Sequence, residues 1–129
     1  MGRAPKKNTE HSFEDYFKRA TSPMMTLILL NEKPMYAYKL SRELEKRSNS
    51  TYQVSFLYPV LYRLQQQGYV IEYSQEITES HRTRNYYAIT DKGKEYLQYM
   101  LEKYKELLAA VDTVIESAQS EDEQKTVES

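Results

Sequence analysis

Two arginines two residues apart, Arg82 and Arg84, follow a polar stretch ending in His81, and a second cluster reads Ser55-Phe56-Leu57-Tyr58. Residues two apart on an extended strand project from one face. Two guanidinium groups placed that way suit a row of phosphates or the floor of a minor groove. Ser55, Phe56 and Tyr58 fall in the first turn of a short helical pattern. There the helix amino end adds free N–H donors and partial positive charge. The Tyr58 hydroxyl suits a phosphate and its ring a thymine methyl. Arg63 lies farther along the same pattern, and Lys39 and Arg42 lie on the helical segment before it as further backbone contacts. His81 sits at the tip of the hairpin that carries the arginines. The chemistry these residues offer is recognition of double-stranded nucleic acid. For Tyr58 and Tyr62 an alternative stands beside it, packing against Tyr52 or the hairpin.

No grouping supports catalysis. The two histidines, His11 and His81, lack metal-ligand spacing, and the chain has no cysteine. The three glycines, Gly2, Gly68 and Gly93, build no phosphate loop. No cofactor, metal or enzymatic activity is expected.

The segments that position these residues can be read from periodicity. Residues 1–11 form a polar, basic stretch expected to be a disordered tail. Ser12 opens a helix carrying Phe13 and Phe17. Ser22-Pro23 suits a fresh helix start, with Met24, Leu27, Ile28 and Leu30 as its buried side. Tyr36, Leu40 and Leu44 recur at helical spacing up to Arg47, and Ser48-Asn49-Ser50 is a turn signal. Ser55 caps the next helix, which buries Leu57, Leu61 and Leu64 and stops at Gly68. Residues 69–73 and 85–89 are aromatic and β-branched, so they read as paired strands. Thr90-Asp91 caps a last helix with a long apolar stripe from Tyr96 to Ile115. Residues 119–129 are acidic and expected to be disordered.

The expected fold is therefore mainly α with a small β-hairpin: a winged helix-turn-helix over 12–90, followed by a long carboxy-terminal helix over 91–118. The net charge is −1, but it is segregated. From Lys33 to Lys94 there are ten Lys/Arg against six Asp/Glu, and from Glu116 onward five acids against one lysine. A basic middle with an acidic end fits a DNA-facing module. No run is long and apolar enough to span a membrane. The polar start lacks the apolar core of an export signal, so a cytoplasmic location is expected.

The pattern Met35-Tyr36-Ala37-Tyr38, then Leu57-Tyr58-Pro59-Val60-Leu61-Tyr62-Arg63-Leu64, Gly68, and Tyr86-Tyr87-Ala88-Ile89-Thr90-Asp91-Lys92-Gly93 resembles the PadR family of bacterial transcriptional regulators. The resemblance implies a homodimer that represses promoters from a pseudo-palindromic operator and releases DNA when an effector binds. The single long last helix is similar to the short subfamily, in which that helix builds the dimer. Ser55 and Phe56 stand where the family usually has glycine and threonine, and Asn85 where it has lysine, so this wing is less basic than its relatives. Tyr96, Met100 and Tyr104 either form a dimer-facing stripe or, closed by Phe13 and Phe17, line a cavity that stacks a small planar effector. The competing class is a winged helix that docks a partner protein and has no direct use for DNA.

Overall fold

The computed structural model describes the backbone of residues 3–53 and 57–128, and side chains within 12–53 and 57–120. Seven elements follow in order: α1 (Arg3–Glu32), β1 (Met35–Tyr36), α2 (Ala37–Arg47), α3 (Leu57–Gln66), β2 (Val70–Ile77), β3 (Arg82–Ile89) and α4 (Asp91–Glu128). They divide into two compact units, Met1–Leu97 and Gln98–Ser129.

The first unit is a winged helix. Its core draws Leu27 and Leu30 from α1, Leu40 and Leu44 from α2, and Leu57, Leu61 and Leu64 from α3. Met35, Val70 and Tyr87 close it from the inner face of the sheet, and Leu97 from the start of α4. The helical part of this core follows from spacing, because apolar residues three and four apart share one helix face.

Two expectations fail in α1. The helix does not restart at Pro23, which lies inside it. An interior proline removes one backbone hydrogen bond and strains the preceding turn. Here the hydroxyls of Thr21 and Ser22 donate back to the carbonyls of Phe17 and Lys18, so Ser22 does not act as a cap. Burial of Met24, Leu27, Leu29 and Leu30 just beyond the proline holds the helix through it. The buried set also differs by one residue, for Leu29 is buried and Ile28 only half-buried. Both ends of the chain carry helix into stretches read from sequence as polar tails, since α1 starts at Arg3 and α4 runs to Glu128.

The sheet is antiparallel with order β1-β3-β2. β1 pairs Met35 with Tyr87 and Tyr36 with Tyr86. β2 and β3 pair along their full lengths, from Val70↔Ile89 to Ile77↔Arg82. Both hairpin strands are longer than sequence indicates, extending the aromatic segments through Ser74–Glu76 and Arg82–Arg84. β1 is an addition to the expected hairpin, and it turns Tyr36 from a helical residue into a strand residue.

The second unit is helical. Its first residues are partly covered, with Met100, Leu101 and Tyr104 half-buried, whereas the stripe from Leu107 to Ile115 is open. Leu107, Leu108, Val111, Val114 and Ile115 are between 39% and 67% exposed.

Candidate nucleic-acid interface

α3 is held by its inner leucines and by a well-formed end. Gly68 adopts φ 82°, the left-handed conformation glycine enters without penalty. The Tyr69 N–H donates to the Leu64 carbonyl at 2.9 Å and the Gly68 N–H to the Gln65 carbonyl at 3.0 Å, which makes a Schellman stop. The strand that follows therefore leaves at a fixed angle. The start of α4 locks onto the same turn. Thr90 Oγ1 accepts from the Gly93 N–H at 3.0 Å, which is the expected cap, and donates to the Gly68 carbonyl at 2.7 Å. Lys92 Nζ donates to the Gln67 carbonyl at 3.0 Å and lies over the Tyr69 ring. The Tyr69 ring also stacks on Tyr96 with centroids 4.2 Å apart.

With Leu57, Leu61 and Leu64 turned inward, the outer face of α3 presents Tyr58, Pro59, Tyr62 and Arg63. Tyr58 is 62% exposed and Tyr62 56% exposed. The Tyr52 hydroxyl is hydrogen-bonded to Thr21 Oγ1 at 2.5 Å. Tyr62 accepts a hydrogen bond from Gln66 Nε2 at 3.0 Å, a contact within its own helix. α3 contains no acidic residue. The nearest acid in its bonding network, Glu72, is engaged by Gln65 Nε2 at 3.2 Å and by the Tyr87 hydroxyl at 3.5 Å. Burial, then the Glu72 carboxylate and the neighbouring Tyr58, push the Tyr87 phenol above its usual value. Ser55 and Phe56 lie outside the described residues.

In the wing, Arg82 and Arg84 do share a face, as two-residue spacing requires, but their surroundings differ. Arg82 is exposed beside the turn. Arg84 is half-buried, its guanidinium 4.0 Å from the centre of the Tyr36 ring. Tyr36 meets Tyr86 edge-on at 5.6 Å, and Tyr86 stacks on Tyr73 at 5.8 Å. The outer sheet face is thus an aromatic row that orients one of its two arginines. Tyr36 is the residue sequence reasoning missed here, because its contact with Arg84 exists only once β1 joins the sheet. His81 is exposed in the turn at φ 56°, with Nδ1 4.0 Å from Glu76.

On α2, Arg42 is exposed and lies over the Tyr38 ring at 6.0 Å, while Lys39 is half-buried. Tyr38, 66% exposed beside Arg42, joins this surface. The five candidate effector residues do not fall together in one unit. Phe13 and Phe17 are exposed on α1, and Tyr96 is committed to its stack on Tyr69. Met100 and Tyr104 belong to the second unit. Among the described residues no group of acids and histidines could hold a metal ion, and no helix is long and apolar enough to cross a membrane.

A family model for PadR-like transcriptional regulators matches residues 26–99. A protein of Lysinibacillus sphaericus, itself uncharacterized, is 32% identical over 92 residues, covering 70% of this chain and 84% of its own. A solved transcriptional regulator from Clostridium thermocellum superposes with a TM-score of 0.66 at 27% identity, over 74% of this chain and 90% of its own. A PadR family regulator from Eggerthella lenta reaches a TM-score of 0.72 over 86% and 96% of the two chains; at 24% identity it speaks to the fold alone.

Proposed function

The chain belongs to the PadR-like family of transcriptional regulators, and from that premise we propose that it is a homodimeric repressor that reads a pseudo-palindromic DNA operator. Membership places it among regulators and not among enzymes. The observation that carries the DNA reading is the outer face of α3, where Tyr58, Tyr62 and Arg63 stand exposed on a helix with no acid. Two such helices enter successive major grooves about one turn apart. Tyr58 then faces base edges near the helix start, and Ser55 and Phe56, just before α3 in sequence, are further proposed DNA contacts. Arg82 follows the flanking backbone, and His81 contributes at the wing tip. Arg84 contributes from its seat on Tyr36, and Lys39 and Arg42 engage phosphates beside the recognition helix.

The exposed stripe from Leu107 to Ile115 gives α4 an apolar face suited to a second copy, which supports dimerisation through that helix. A small-molecule effector would lower DNA affinity by changing the spacing of the two heads. The lock between Gly68, Thr90 and Tyr69 gives that change a route, since it ties the end of the recognition helix to the start of α4.

The test is a fluorescence-anisotropy titration with the DNA upstream of the chain's own gene, beside a scrambled duplex and at two salt concentrations. Tight, sequence-preferring binding that weakens steeply with salt supports the regulator. Equal or absent binding on both duplexes makes the protein a winged-helix interaction module, and retained affinity in the presence of bound effector removes the release step.

A further inference from the structure

One cleft of about 280 Å³ lies between α1 and α3, lined by Arg19, Ser22, Pro59, Val60 and Arg63. Its two charged residues are both arginines, brought together from helices about forty residues apart in sequence, and no acid lines it. Neither arginine forms an ion pair among the described residues, whereas Lys18, next to Arg19, is bound by Glu14 at 2.7 Å. Ser22 is buried and its hydroxyl is spent on the Lys18 carbonyl, so the cleft's polar character comes from the two guanidinium groups. Pro59 and Val60 supply an apolar wall that keeps water from one side. Two like charges at one concavity repel until an anion sits between them. Planar guanidinium forks match the oxygens of a phosphate or carboxylate in bidentate fashion.

We infer that this cleft is an oxyanion site that takes a phosphate group between Arg19 and Arg63. Two sources share that chemistry, the DNA backbone and a free phosphate ion. The first follows from position, since Pro59 and Arg63 belong to the exposed face of the proposed recognition helix and one groove-flanking phosphate per head would fall beside it. That source rests on the DNA-binding reading above; the site itself does not. It also assigns Arg19, from the first helix, to a surface otherwise built from α2, α3 and the wing.

The experiment has two arms on the full-length protein. In the first, log affinity for operator and scrambled duplex is measured against log salt for the wild type, Arg19→Ala, Arg63→Ala, Arg19→Lys and, as control, Lys18→Ala. Loss of one phosphate contact per head, about two per dimer, flattens the slope by about 1.8. Over a fourfold rise in salt that is roughly a twelvefold smaller loss of affinity. Arg19→Ala and Arg63→Ala are expected to show it equally on both duplexes, and Arg19→Lys and Lys18→Ala to keep the wild-type slope. In the second arm, the melting temperature is followed with inorganic phosphate against chloride at matched ionic strength. A saturable rise lost in both alanine variants, with DNA slopes unchanged, assigns the site to free phosphate. If the wild type binds no DNA the regulator reading fails, and the phosphate arm alone decides the site. Unchanged slopes together with no phosphate effect overturn the inference while leaving the regulator reading intact.

Discussion

Gly93→Ala is the substitution whose consequence the structure specifies most closely. A Cβ at this position would lie 2.2 Å from the Tyr69 carbonyl oxygen, 2.8 Å from Ile89 Cγ1 and 3.1 Å from the Tyr69 carbonyl carbon. Ordinary contact requires the chain to yield by about 1 Å, and the obstacle is backbone, so no side-chain rotation relieves it. The same carbonyl accepts the Thr90 N–H at 3.0 Å, and Thr90 in turn holds the Gly68 carbonyl at 2.7 Å. Moving Tyr69 therefore disturbs the seam between the end of α3 and the start of α4. Overpacking of this kind costs about 1–3 kcal/mol, and a weakened hydrogen bond adds about 1. Against this, alanine gains at most about 1 kcal/mol in helix preference over glycine. The net is a loss of about 1–3 kcal/mol, or a fall in Tm of roughly 5–20 °C for a domain of this size. Gly68→Ala is the companion. Its Cβ meets nothing nearer than Lys92 Nζ at 3.7 Å, so only the left-handed φ of 82° is penalised. That penalty is about 1–2 kcal/mol. Thermal unfolding followed by circular dichroism ranks the two. A Gly93→Ala protein that melts within about 2 °C of wild type, where the steric cost predicts far more, would refute the close approach and the seam built on it.

Arg82→Ala and Arg84→Ala should separate. The first is expected to weaken DNA binding with Tm unchanged, while the second also lowers stability by about 0.5–1 kcal/mol through loss of its stack on Tyr36; anisotropy and thermal melts on both variants check this. Tyr87 is held protonated above its ordinary value of 10.0 by burial first and then by Glu72. Its contribution to stability is complete below pH 10 and is lost as pH rises through the folded-state value, because the unfolded chain gives up the proton first. Difference absorbance titration of wild type minus Tyr87→Phe should show a phenol that ionises late, and a stability profile above pH 10 that is flatter in the variant. Val111→Glu with Val114→Glu should shift the protein toward monomer in sedimentation velocity and weaken operator binding by at least tenfold, leaving the winged helix folded by circular dichroism.

Much of the fold and its proposed interface is local in origin, which is why residue order reveals it. The stop at Gly68, the cap at Thr90 and the inward leucines of α3 each depend on neighbours within a few positions, and the structure contains all three. What order does not reveal depends on distant partners. β1 is two residues long and has no periodicity; it exists because Tyr86 and Tyr87, fifty positions later, offer a free edge. The outer ends of β2 and β3 are polar, so propensity ends those strands early, whereas continued pairing carries them to Ile77 and Arg82. The run from Met24 to Leu30 is apolar on nearly every side, and an unbroken run does not say which face turns inward. Pro23 reads as a helix start, and only tertiary burial beyond it and the back-bonding hydroxyls before it explain a continuous helix. The unequal settings of Arg82 and Arg84 have the same origin, since equal spacing gives them one face but only the seat of Tyr36 distinguishes them.

The most direct test of the regulator reading is the anisotropy titration of the wild-type chain on its own upstream DNA against a scrambled duplex. The account predicts preference for the upstream sequence and a slope of log affinity against log salt of roughly −5 to −9, as expected when a dimer neutralises about six to ten phosphates. Equal affinity for both duplexes at every salt concentration, or no binding at all, would contradict it.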